Sequence, residues 1–243
     1  MSVLYCTIPH FAAALAQREN PDLGSRPLIL IGPEGRVLDA SVDAADQGIG
    51  AGMTARTAEI RCPEAYLLEA DLARCQMEVE SLLQVLERAS SRVEPHGWGA
   101  AYVDLGNSDP GNRPRPGLAQ VHSGAVKLCQ EIGRAVRREL GQDLQPALGW
   151  DSSKFTAQTA ARRVRPGHLR AIDAAQERNF LQPLSVELLP LAEEAVQRLC
   201  FLGLRTMGQY ASLPPAAVWQ QFGRSGKTAQ RCAQGKDDRP VVP

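Results

Sequence analysis

The tripeptide Arg165-Pro166-Gly167 divides the chain into two textures, and that division limits the fold more than any other feature. Before it, short apolar runs alternate with amphipathic helical stretches. After it, the pattern is helical, broken by turns at Gly203, Pro214-Pro215 and Gly235. A mixed α+β body followed by a helical unit is expected, with a boundary near Pro166. The 243 residues suffice for a sizeable core shared by two or three subdomains.

Within the first part, Ser2 to Thr7 is β-compatible and Pro9 interrupts it. Phe11 to Arg18 is alanine-rich and helix-prone, stopped by Asn20-Pro21. Pro27 to Ile31 and Arg36 to Ser41 flank the turn Glu34-Gly35 and predict a hairpin. Short helices are expected at Asp43 to Gln47 and Thr54 to Arg61. Asp71 to Ala89 carries apolar residues at helical spacing (Leu72, Cys75, Val79, Leu82, Leu83, Leu86) and predicts an amphipathic helix. Gly124 to Leu140 predicts a second long one. Strands are expected at Ala101 to Leu105 and Gln145 to Gly149, and a helix at Ser153 to Arg163, capped by Ser152 or Ser153. Gly106 to Gly117, rich in Gly, Pro and Asn, reads as a loop.

Composition excludes several classes. No apolar run approaches the roughly 20 residues that span a bilayer, and the N-terminus lacks the order of a signal peptide, so a cytoplasmic protein without membrane partners is expected. The six cysteines (Cys6, Cys62, Cys75, Cys129, Cys200, Cys232) include no CxxC pair and no nearby His at ligand spacing. Buried thiols are expected rather than zinc ligands or disulfides. Net charge is zero, but bases outnumber acids between Arg113 and Arg170 while Glu59 to Glu94 leans acidic. That asymmetry suits a protein with one DNA-facing side, as it suits ordinary solvated helix faces.

A series of short motifs resembles, in order, the Y-family (lesion-bypass) DNA polymerases. The run Phe11 to Leu23 resembles the family's opening pattern. Arg26-Pro27, Gly48-Ile49-Gly50-Ala51-Gly52-Met53, Cys62-Pro63, Tyr102-Val103-Asp104-Leu105, Gly149 to Lys154 and Arg165-Pro166 follow where the family has similar motifs. Leu202-Gly203-Leu204-Arg205-Thr206-Met207-Gly208 looks like part of a helix-hairpin-helix. The resemblance implies an α+β palm discontinuous in sequence (residues 1–10 and 78–165), inserted small fingers (11–77) and a helical thumb (166–243). The family's little-finger domain and clamp-binding tail have no counterpart in these residues; a fragment and a reduced protein are both compatible with that.

The chemistry departs from the family. Two-metal phosphoryl transfer needs carboxylates, because Mg²⁺ takes oxygen ligands. The family's first metal-binding Asp falls on Thr7, a second Asp on Pro9, and the later Asp-Glu pair on Gly99-Ala100. The aromatic steric gate against ribose falls on Ala12, and the Tyr and Arg that contact triphosphate fall on Val42 and Ala45. Lys154 is the remnant of the nucleotide-phosphate contacts, or else a solvated lysine in the first turn of a helix. This pattern resembles the catalytically inactive ImuB-like branch, which implies a scaffold for a RecA-like accessory protein, an error-prone replicative-type polymerase and the sliding clamp. No cofactor is then required.

For DNA, the resemblance implies sequence-independent contact to damaged or primer-template DNA through backbone amides at the Gly203 turn, with Arg205 and Thr206 beside it. Arg224, Lys227 and Arg231 add salt-dependent attraction. Leu189-Pro190-Leu191-Ala192 replaces the family's Gly-x-Gly turn, so one hairpin is degraded. Two other readings stay open. An active polymerase would need Mg²⁺ and substitute carboxylates such as Asp104 or Glu94, and a remnant could bind protein partners only.

Overall fold

The computed structural model describes residues 2–23, 26–106 and 118–243. The loop expected at Gly106 to Gly117 falls almost wholly outside them. The strands are β1 (Val3–Thr7), β2 (Leu28–Ile31), β3 (Val37–Ala40), β4 (Tyr66–Glu69), β5 (Val93–Pro95), β6 (Ala100–Asp104), β7 (Ala147–Asp151) and β8 (Leu169–Ala171). The helices of the first part are α1 (Phe11–Glu19), α2 (Val42–Asp46), α3 (Ala55–Arg61), α4 (Leu72–Glu87), α5 (Leu118–Leu140) and α6 (Lys154–Ala161). Those of the second are α7 (Glu177–Leu181), α8 (Glu193–Phe201), α9 (Met207–Ala211) and α10 (Pro215–Ala233).

Five strands form the larger sheet in the order β5-β6-β1-β7-β8, and three form a smaller one, β3-β2-β4. The hairpin expected around Glu34-Gly35 is the antiparallel β2–β3 pair. In the large sheet β1 is central and antiparallel to both β6 and β7. Side chains alternate across a strand, so β1 turns Leu4 and Cys6 to one face, where they join Val79, Leu82 and Leu86 of α4 and Cys129, Ile132 and Val136 of α5. Val3 and Tyr5 point the other way, to Tyr102, to Ala157 and Ala161 of α6, and to Val241 in the extended segment after α10. Alternation puts Thr7 on this second face.

Helix α6 is the joint of the molecule. Ser153 caps it, its Oγ accepting from Thr156 N at 3.2 Å, as the sequence leads one to expect. It lies so close to β7 that a Cβ on Gly149 would stand 1.9 Å from Ala157 O. Its Phe155 faces away into the helical core built on Leu181, Leu199, Met207, Tyr210 and Val218.

The large sheet runs past the boundary expected at Pro166, because β8 pairs in parallel with β7. Three residues of strand with no alternation to read, Leu169–Ala171, do not stand out in a sequence that is otherwise turning helical. Helix α10 bends sharply at Gly223, whose backbone has φ 58° and ψ −145°. All six cysteines are free, and every one but Cys200 is buried. No helix among the described residues is long and apolar enough to cross a membrane.

Candidate functional site

The β1 register brings the three expected metal-ligand positions together. Thr7 pairs with Ala100 across β1 and β6, and Ile8 N donates to Gly99 O at 2.9 Å. The place therefore exists, but its chemistry does not fit a divalent cation: one hydroxyl and no carboxylate. Nor is there room for one. Gly99 has φ +65° and a Cβ there would lie 2.5 Å from the Phe11 ring, so an acid at this position needs both a left-handed backbone and a displaced phenyl group. Among the described residues no three His, Cys, Asp or Glu side chains are grouped to hold a metal.

Lys154 is not a solvated lysine. It is only 7% exposed, with Nζ 2.6 Å from both carboxylate oxygens of Glu94, 4.4 Å from the Tyr102 ring centroid and 3.4 Å from Pro240 O. Burial works to raise the Glu94 pKa, yet the Lys154 ammonium and the Val242 N–H outweigh it and hold the carboxyl below its ordinary range. This amine is thus already committed within the protein. Tyr5 Oη lies 2.9 Å from His96 Nδ1, and burial, then the nearby cations Arg162 and Lys154, depress the His96 pKa. Sequence reasoning missed Tyr5, His96 and the Glu94–Lys154 pair, since the pair is 60 residues apart and no local pattern joins them. Asp104, the other candidate substitute, ends β6, accepts from Gly106 N at 2.9 Å and lies 3.6 Å from Arg92.

The expected nucleotide-pocket positions separate. Ala12 is buried in the main core. Val42 instead lines a cleft of about 630 Å³ with Ile8, Pro9, His10, Arg18 and Pro166. Lys154 and Ala45 are not among the lining residues. The cationic candidates in that cleft have partners. Arg18 donates to Glu78 and to Leu140 O, and His10 is drawn to Asp39, whose carboxylate raises its pKa.

At the expected DNA hairpin, Gly203 provides the turn at φ +79°, but the amides go elsewhere than expected. Gly203 N donates to Cys200 O and Leu204 N to Leu199 O. Arg205 N and Thr206 N donate to Gln209 Oε1, Met207 N to Leu184 O and Gly208 N to Gln182 O, and Gln209 N to Thr206 Oγ1. A Thr206–Gln209 capping box and the adjoining Gln182–Leu184 segment consume the whole run of donors. The reading of this turn as an amide cradle for phosphate is therefore corrected: its available cation is the exposed side chain of Arg205. At Leu189 to Ala192 the following helix α8 opens with Glu193 and Glu194, which neutralise its positive end and repel phosphate. Arg224 and Lys227 are exposed just after the Gly223 bend, whereas Arg231 is paired with Asp238 at 2.7 Å.

A central, mostly antiparallel sheet backed by two long helices, a small inserted sheet and a helical unit reached through α6 is the architecture of a Y-family polymerase core. The sequence profile described as the impB/mucB/samB family matches residues 6–162, and the chain belongs to that family. Among curated relatives it is similar to DNA polymerase IV of Dehalococcoides mccartyi (strain CBDB1), 28% identical over 243 residues, covering 98% of this chain and 59% of the other. It is also similar to DNA polymerase IV of Moorella thermoacetica, 29% identical over 251 residues, covering 100% and 59%. The chain thus spans about three-fifths of the length of these relatives. Among solved structures, the fold matches that of DinB from Sulfolobus solfataricus, with a TM-score of 0.85 at 21% identity, covering 99% of this chain and 69% of that one. An insertion ternary complex of Dbh DNA polymerase matches with a TM-score of 0.82 at 20% identity and the same coverage.

Proposed function

We propose that the chain is a non-catalytic, ImuB-like member of its family, a cytoplasmic DNA-binding scaffold component in DNA repair, translesion synthesis and damage-induced mutagenesis. The observation that carries this reading is the join of Thr7, Gly99 and Ala100: three neighbouring positions without a carboxylate, with Phe11 against Gly99. The domain reading that goes with it takes residues 1–10 and 78–165 as palm, 11–77 as fingers and 166–243 as thumb. DNA is held through phosphates by Arg205, Arg224 and Lys227, so affinity falls with salt and is indifferent to sequence. The partners on this reading are a RecA-like accessory protein, an error-prone replicative-type polymerase and the sliding clamp, and no cofactor takes part.

The relatives' name, DNA polymerase IV, favours a second reading, an active error-prone polymerase using Mg²⁺ with substitute carboxylates. Glu94, bound to Lys154, and Asp104, near Arg92, weigh against it. Primer extension with Mg²⁺ or Mn²⁺, paired with primer-template binding across salt concentrations, separates these readings. The scaffold reading expects binding that weakens with salt and no extension. Extension that survives stringent purification refutes it, and absence of both activities points to a protein-interaction remnant.

A further inference from the structure

Between Glu194 and Asp237 the chain carries six cations (Arg198, Arg205, Arg224, Lys227, Arg231, Lys236) and not one carboxylate. The same acid-free stretch leaves large apolar side chains in solvent: Phe201 is 91% exposed, Leu202 59% and Trp219 56%. Phe201 ends α8 and Leu202 follows it directly, three residues before Arg205 across the Gly203 turn. Trp219 lies in the first arm of α10, which is tied to α8 by Arg198 Nη2 donating to Gln221 Oε1 at 2.8 Å. Glu193 and Glu194 stand at the far end of α8, about 10 Å along the helix from Phe201.

From this we infer that the helical unit binds single-stranded DNA, with Phe201 and Trp219 as stacking platforms for unpaired bases and Arg205, Arg224 and Lys227 gripping the phosphates between. The inference rests on the DNA-binding reading above and deepens it by naming the form of DNA. A duplex keeps its base faces stacked on one another, so it offers a phenyl or indole ring little beyond phosphate and sugar. Unpaired bases present their π-faces and carry the same charge, and cations interleaved with free aromatic rings are what such a strand requires. An apolar partner protein would also cover Phe201, but the absence of any acid in the stretch favours a polyanion. The turn amides being engaged within the protein strengthens the case, because it leaves side chains to make the contact.

The test is fluorescence anisotropy of the whole chain with labelled oligothymidylate, a blunt duplex and an abasic phosphodiester chain of equal length, all at one ionic strength. Oligothymidylate is expected to bind about tenfold more tightly than the abasic chain, and F201A and W219A each to weaken it about tenfold. Binding of duplex and abasic chain stays unchanged in both variants. Both side chains are exposed, so the thermal midpoint holds and loss of fold does not mimic the effect. Oligothymidylate quenches tryptophan emission, and W219F abolishes most of that quenching. Equal affinity for oligothymidylate and the abasic chain overturns the inference while leaving phosphate binding intact, and assigns Phe201 and Trp219 to a protein partner. Unchanged oligothymidylate binding in both variants overturns it in the same way. Failure to bind any of the three probes overturns it together with the DNA-binding reading.

Discussion

Asp151 and Glu177 are buried together under α6. Ser153 Oγ and Thr156 Oγ1 both donate to Glu177 Oε1, and Ser153 N donates to Asp151 Oδ2, which leaves Asp151 Oδ1 without a donor. Burial, and then the Glu177 charge, push the Asp151 pKa up to about 7. A folded pKa above the unfolded value means that the contribution to stability is complete below about pH 4 and is lost as pH rises through about 7. Stability should therefore fall from about pH 4 to about pH 7, and D151N should flatten the profile and exceed the parent by about 2 kcal/mol at the alkaline end. Thermal melts across that range check both. The Lys154–Glu94 pair makes a second case. Replacing Lys154 by Met leaves the Glu94 charge half-buried and should cost about 2 kcal/mol, while the double variant K154M/E94Q recovers part of the loss. Urea titrations of K154M, E94Q and the double variant give the coupling. A double-variant loss equal to the sum of the two single losses would mean the two residues act independently.

Helix α6 meets strand β7 backbone to backbone, and Gly149 is what permits it. With a Cβ at 1.9 Å from Ala157 O and 2.5 Å from Ala161 N, neither neighbour is a flexible side chain that can swing aside. G149A should accordingly cost more than about 3 kcal/mol and is expected to reduce soluble yield, whereas G106A, with nothing within 4 Å of the added Cβ, meets only the strain of its positive φ. Comparing their urea midpoints tests this. At the same scale it is clear what could be read in advance. Helix α4 and the β2–β3 hairpin have enough residues for period and turn chemistry to register, and Ser153 advertises its cap. The strands β4, β5 and β8 are three or four residues long. Strand β4 pairs with β2, beyond β3 in sequence, and β8 with β7, from which α6 separates it. Strand β5 pairs with the adjacent β6 but is only three residues long and contains Pro95, so little in the local pattern marks any of them. The Gly203 turn shows the reverse: its glycine was legible, but the destination of its amides depends on Gln182, Leu184 and Gln209, and only the folded chain reveals it. The empty carboxylate positions at Thr7, Gly99 and Ala100 could be read from the motif order, while the phenyl ring against Gly99 could not.

Across the whole molecule, the segment from Asp237 to Val242 straps the helical unit to the sheet. Its first fastening is Asp237, whose Oδ2 accepts from Phe155 N at 3.0 Å. Burial disfavours that charge, but the Arg239 guanidinium, at 2.7 and 2.9 Å, outweighs it and holds the carboxyl below the ordinary range. The second fastening is Val241, buried against Val3, Tyr5, Tyr102 and Ala157. The third is Val242 N, which donates to Glu94 Oε2 at 2.7 Å. Because Glu94 also holds Lys154, the first residue of α6, the strap, the joint helix and the sheet close into one network. An unpaired charge at the middle fastening should open it. V241D is expected to lose about 3 kcal/mol and to speed tryptic cleavage after Arg162 and Arg163, where the chain leaves α6 for β8. V242D places the same charge on a side chain that is 60% exposed and whose backbone makes the contact, so its melt and its digestion pattern should stay close to those of the parent. Limited trypsinolysis of the two variants side by side decides the matter. Accelerated cleavage in V241D alone would establish that the strap holds the two parts together, and equal cleavage in both would reduce it to a passive covering of the sheet.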